Sequence, residues 1–298
     1  MPYRRKFRKS ARPRRPGGVR RRYPTRKVQY RKRRTVSRKR VLNIASRKKR
    51  DNMVSWSNIT INPNPQQFAS GAAYLTGDRQ YIIPWVATGR PLVGSDNTNN
   101  TVAEAAARTA TEIYARGVSE KIQLQTLSPQ PWQWRRICFQ YRLRDILNTQ
   151  NTDSPLVTQT TAAGMTRTLF DALKNGTMAQ TLLNVLFQGK QSIDWASFFT
   201  AKVDNRNVTL CYDKTRVINS GTSAGVIRNY KMWHPMNKTL RYGDDETGND
   251  ETSSFFCTPA NYGMGDYYIV DIFSAGPSGG SGDVLKFEPE ATLYWHER

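Results

Sequence analysis

The sequence predicts an all-β body, an antiparallel sandwich or barrel, carried behind a disordered basic arm. Two observations point there. The first is charge: residues 1–50 hold 24 of the 46 Lys and Arg and none of the 23 Asp and Glu. The formal +23 therefore belongs to one end, and residues 51–298 are almost neutral. A block of like charge this dense does not collapse on itself and seeks a polyanion. The second is pattern. From Asp51 on there are about eight to ten short apolar runs with turn residues between them and no βαβ rhythm. The boundary is placed between residues 50 and 51, leaving 248 residues, enough for one sandwich or barrel with a sizeable core.

Within the arm, Pro2, Pro13, Pro16, Pro24 and Gly17-Gly18 break any helix in its first half. Arg4, Arg5, Lys6, Arg8, Lys9, Arg12, Arg14, Arg15, Arg20, Arg21, Arg22, Arg26 and Lys27 are the candidate nucleic-acid-binding residues. Each neutralised phosphate releases condensed counterions, so binding of this kind is salt-sensitive and blind to base sequence. Tyr3, Phe7, Tyr23 and Tyr30 lie among the arginines, either as stacking partners for unpaired bases or as incidental members of an unfolded segment.

In the body, Val54, Trp56, Ile59 and Ile61 with Ser55, Ser57 and Thr60 read as a strand, stopped by Pro63 and Pro65. The run 81–86 is a second strand, and Pro84 assigns it to an edge or a bulge. Residues 102–115 are rich in alanine and predict one short helix closed by Gly117. Ile122, Leu124 and Thr126 alternate with polar residues. Ile137, Phe139, Tyr141 and Leu143 alternate with Arg136, Cys138, Gln140 and Arg142, one apolar face against one basic and polar face. Residues 167–187 suit a helix or a buried strand. Strands are expected at 208–218, 226–233, 238–242, 267–273 and 285–295, with a flexible hairpin loop at 276–282.

Little else in the chain points to chemistry. Cys138, Cys211 and Cys257 are far apart, odd in number and free of CxxC spacing, so reduced buried thiols are expected. His234 and His296 lack Cys or His at ligand spacing, so no metal is assigned, and His234 reads as a hydrogen-bonded strand-end residue. No P-loop and no nucleophile elbow is present, and neither catalytic residues nor a cofactor are expected. The acidic run Asp244, Asp245, Glu246, Asp250, Glu251 is either a solvated loop or a Ca²⁺ site at a subunit contact. The seven tryptophans divide between core and interface anchors. No apolar run of 18 residues occurs, so no membrane span or membrane partner is expected, and no secretory leader is visible. A ribosomal or chromatin-type protein would spread its basic residues over the folded part. A nuclease would need converging carboxylates.

Three segments carry a likeness to a known family: Met1-Pro2-Tyr3-Arg4-Arg5, the stretch from His234 to Tyr242, and the closing Ala291-Thr292-Leu293-Tyr294-Trp295-His296-Glu297-Arg298. With these the chain resembles genomovirus capsid proteins, the coat proteins of small circular single-stranded DNA viruses. The resemblance implies a single eight-stranded jelly roll and sixty copies in an icosahedral shell. It also implies an inward-pointing arm on a single-stranded DNA genome, and a virion protein that passes through the host nucleus. Arg31, Lys32, Arg33, Arg34, Arg38, Lys39, Arg40, Arg47, Lys48, Lys49 and Arg50 then serve as signals for the host nuclear import machinery, as DNA neutralisers, or as both. Sixty such arms match roughly 1–3 kilobases of single-stranded DNA. Related coat proteins carry a Cys/His metal motif near the start. Here no Cys precedes residue 138 and no His precedes 234, so no such site is transferred.

Overall fold

A computed structural model describes residues 36–62, 64 and 66–297. Eight long strands build the body: β1 (Arg47–Met53), β2 (Tyr81–Val86), β3 (Glu112–Thr126), β4 (Trp132–Tyr141), β5 (Thr209–Ile218), β6 (Ile227–Arg241), β7 (Asp266–Ala275) and β8 (Val284–Glu297). One sheet runs β1-β8-β3-β6 and the other β5-β4-β7-β2, with every neighbouring pair antiparallel. The first strand pairs with the last, Arg47 opposite Glu297. Six of the seven connections cross from one sheet to the other, and only β4 to β5 stays within a sheet. This is the eight-stranded jelly roll. A short strand, Ala73–Thr76, extends the first sheet along the other half of β8.

The second sheet is covered on both faces. Trp134, Cys138, Ile269 and Phe273 point between the sheets, toward Leu124, Phe287 and Trp295. Ile82, Ile137, Phe139, Val270 and Ile272 point the other way, under helix α2 (Gly176–Leu186; the helix preceding β1, Arg38–Ala45, is α1). Met178, Ala179, Leu182, Leu183 and Leu186 are the buried residues of α2, one face at helical spacing. Asn175 caps it, its side chain accepting from the Met178 N–H at 3.2 Å. The ambiguity at 167–187 thus resolves into a short strand, Arg167–Leu169, followed by this helix. The faces of β4 are used in the opposite sense from the usual one. Its apolar side packs under α2, and its side carrying Arg136 and Cys138 faces the partner sheet.

Five expectations are corrected. Residues 102–111 are not helical and Glu112–Thr126 is a strand. The carbonyls a helix would use are taken by other donors: Val102 by Arg47, Ala105 by the Arg50 N–H, Ala106 by Arg90 and Ala107 by Lys49. The segment expected to be disordered through residue 50 contains α1 and the start of β1. No charged residue lies between Arg40 and Arg47, and Ser37 accepts from the Arg40 N–H at 3.3 Å. The glycine-rich 276–282 segment is not a hairpin, because β7 and β8 lie in different sheets. Of the strand expected at 54–61, only Ser55–Ser57 is extended and paired. The strands expected at 226–233 and 238–242 are one strand, β6, with a register shift between Pro235 and Lys238. Pro84 does sit in an edge strand, opposite Val270.

Candidate nucleic-acid interface

The basic residues assigned to nucleic acid, Arg4 to Lys27, and the cluster Arg31-Lys32-Arg33-Arg34 lie outside the described residues. Arg38, Lys39 and Arg40 fall in α1. Arg47, Lys48, Lys49 and Arg50 belong to β1, so the folded body begins at least four residues before the boundary set by composition. β1 reads as arm because Met53 is its one apolar residue. It is held by pairing its inward charges. Lys49 is buried, its Nζ lying 3.0 Å from Glu297 Oε2 and donating to Ala107 O at 2.7 Å. Asp51 pairs with Arg90 at 2.6 Å. Burial pushes the Glu297 carboxyl up, but hydrogen bonds from Thr109, Trp295 and Lys49 outweigh it and hold the group below its usual range. Lys49 is thus withdrawn from any basic signal, whereas Lys48 and Arg50 alternate to the outer face and are exposed.

That outer face of the β1-β8-β3-β6 sheet carries residues that sequence reasoning did not single out. Register places Lys48 opposite His296, Arg50 opposite Tyr294 and Asn52 opposite Thr292. Across β3, Ser119 faces both Thr292 and Trp233, and Lys121 faces both Glu290 and Lys231. Trp233 is 50% exposed, the only one of the seven tryptophans among the exposed large apolar residues. Its ring meets that of Tyr294 edge-on, with centroids 5.8 Å apart and planes at 61°. The indole lies across Gly117, where φ is +151° and an added Cβ would come within 2.7 Å of the ring and 2.5 Å of His234 O. Arg116, beside it, is held by Asn237 at 2.5 Å. Among the described residues, Lys48, Arg50, Lys121 and Lys231 form no ion pair. The available signal was an alternation of Lys231 and Trp233 on a strand whose other residues supply the core.

The charges between the sheets are closed to solvent. Arg136 donates to Glu120 at 2.5 Å and to both oxygens of Asp271 at 2.7 and 2.8 Å. Arg167 donates to Glu120 at 3.2 Å and to Asp271 at 3.0 Å. All four side chains are fully buried, two positive and two negative. Burial acts to raise the Glu120 pKa, yet Arg136, His234 and Arg167 carry it well below the usual carboxylate range. His234 is buried inside β6, not at its end, with Nε2 3.4 Å from Glu120. The quartet ties β3, β4 and β7 together and offers no surface to a substrate.

The acidic run is divided. Asp244 is buried and bidentate to Arg108, at 2.5 and 3.0 Å, and Arg108 stacks over Tyr242 at 3.8 Å. The rest forms a small exposed turn, Glu246–Thr247 against Asp250–Glu251, around Gly248. Among the described residues no three His, Cys, Asp or Glu converge on a point that a metal ion would occupy. The three cysteines are free. Cys138 and Cys257 are buried, but Cys211 is exposed, contrary to expectation. Among the described residues no helix is long and apolar enough to cross a membrane. No protein-family model matches the chain, and a search of curated proteins returns no similar sequence.

Proposed function

We propose that this protein is a capsid protein, self-assembling into a small icosahedral shell and packaging circular single-stranded DNA through its basic N-terminal segment. One observation carries the reading. A jelly roll whose net charge is close to zero follows a segment that holds nearly all of the molecule's positive excess. A neutral sandwich tiles against copies of itself without long-range repulsion. A dense cationic leader neutralises phosphate whatever the base sequence. Genome binding and shell formation then reinforce each other, because each favours the state the other needs. In this reading no active site is required, and the buried charges serve the fold. The basic clusters at 31–34 and 38–40 are the import signal, and the protein occupies the virion and the host nucleus. The exposed Lys48 and Arg50 belong to the DNA-facing surface.

The test removes residues 1–46, stopping short of β1. The truncated protein should keep its thermal transition and lose most of its affinity for single-stranded DNA together with the salt dependence of binding. Retention of both by the truncated protein would overturn the proposal. Size-exclusion chromatography with light scattering of the full chain should give particles of megadalton mass; a 34.1 kDa monomer under every ionic condition would equally overturn it.

A further inference from the structure

We infer that the outer face of the β1-β8-β3-β6 sheet is a second single-stranded DNA contact, in which Trp233 and Tyr294 stack on unpaired bases and the flanking cations hold the phosphates. The inference deepens the packaging reading and rests on it for the identity of the nucleic acid. A half-exposed tryptophan leaves apolar ring surface in water, on a sheet whose opposite face is fully packed. Here it is also held in place: Gly117 supplies the gap in which the indole lies, and Tyr294 braces it edge-on. The surroundings are cationic. Arg50 faces Tyr294, Lys48 lies two residues along the same strand, and Lys121 and Lys231 face each other one step from Trp233. Glu290 is the one carboxylate in register with them.

Charge complementarity selects the occupant. A second copy of this chain carries a net +23, and its folded part, almost neutral in sum, offers clustered acidic groups at the small exposed turn of residues 246–251, whereas the patch holds four cations that form no ion pair among the described residues. A polyanion with exposed π-faces answers both halves of the patch. Aromatic rings that take any base, within a cationic groove that tracks the backbone, are the general means of binding single strands without sequence preference. Duplex DNA keeps its bases inside and would use the cations alone. The chain enters the fold at β1, the edge strand of this same sheet, so the basic segment is covalently continuous with the patch.

The experiment compares full-length wild type with Trp233→Ala, Tyr294→Leu and Trp233→Phe, using two fluorescent 20-mers: oligo(dT) and an abasic strand with the same number of phosphates. Affinity is measured by anisotropy over a salt series, and folding by thermal melting. The preference of wild type for oligo(dT) over the abasic strand should fall about tenfold in Trp233→Ala, the change expected for one lost stacked base. It should fall in Tyr294→Leu as well and be kept by Trp233→Phe. Stacking by aromatics of the basic segment is common to all variants and cancels. The slope of log affinity against log salt should not change, because no charge is removed. An undiminished preference in both Trp233→Ala and Tyr294→Leu overturns the inference. So does a Trp233→Ala protein that loses self-association with its strand preference intact, since the tryptophan would then be covered by another copy. If wild type forms no closed particles while its preference depends on Trp233, the shell reading fails and this contact stands.

Discussion

At the scale of single residues, the molecule places ionisable groups in its interior and settles most of them by pairing, but not all. Asp266 is buried with two neutral donors, the Cys257 N–H at 3.0 Å and the Thr88 hydroxyl at 3.1 Å. Burial pushes its carboxyl up to about 6 in spite of these bonds. Folding therefore favours the protonated form. Its contribution to stability is fully present below the ordinary value near 3.8 and is lost as pH rises toward 6. The sign is opposite to that of Glu297, whose depressed pKa stabilises at neutral pH and is lost in acid. Asp266→Asn keeps a carbonyl to accept from Cys257, and its amide can donate to Thr88. It should raise stability at pH 7 by on the order of 2 kcal/mol relative to its effect at pH 4. Denaturant melts of both proteins at the two pH values decide it; equal differences would show that the carboxyl is not the cause. Lys49 shows how context overrides type. A lysine in a basic run is expected to be solvated, and this one is fixed because its strand partner brings Glu297 beneath it.

At the scale of elements, what could be read from the sequence depended on whether a strand buries one face or two. β7 and β8 are legible because 267–273 is apolar but for Asp271, and because Leu285, Phe287, Leu293 and Trp295 alternate. Pro84 narrowed its strand to an edge or a bulge, and the strand is an edge. β1 was not legible, since its inward positions are Lys49, Asp51 and Met53, and charge pairing in the folded state leaves no hydrophobic period in the sequence. The false helix at 102–115 came from alanine propensity, which is worth tenths of a kcal/mol per residue and yields to long-range hydrogen bonds. Half of the candidate site escaped for a related reason: Trp233 looks like core until the sheet it belongs to is known. The register makes a direct prediction for β1. Removing residues 1–53, unlike 1–46, strips β8 of its partner from Ala291 to Glu297 and leaves Glu297 without Lys49. The exposed edge of β8 should drive aggregation, and Glu297 should lose its charge partner and keep only its bonds from Thr109 and Trp295. Soluble yield and melting temperature of the two truncations measure the difference; a well-behaved 54–298 protein would mean that β1 is dispensable.

At the scale of the whole molecule, two parts of opposite character share one chain: a cationic leader and a sandwich that is nearly uncharged overall. If the leader sets the cargo, capacity follows charge and not sequence. Particles assembled with scrambled single strands should take up roughly 1–3 kilobases each, whatever the base order. Nuclease-protected length on a denaturing gel is the measurement, and strict dependence on one sequence would argue for base-reading contacts elsewhere. Raising salt should shorten the protected length, because leader–phosphate contacts weaken with ionic strength while β-sheet contacts do not.

The pairing of the first strand with the last has a temporal side. β8 lies inside its sheet, between β1 and β3, yet it is the last of the eight strands to be synthesised. Until it arrives, β1 has no neighbour in the sheet and Trp295 cannot fill the space beneath Arg90. Contacts of such long sequence separation form slowly. The growing polypeptide therefore leaves the ribosome with its cationic leader already emerged and its sandwich still open, and the closing of that sandwich waits on the arrival of its final strand.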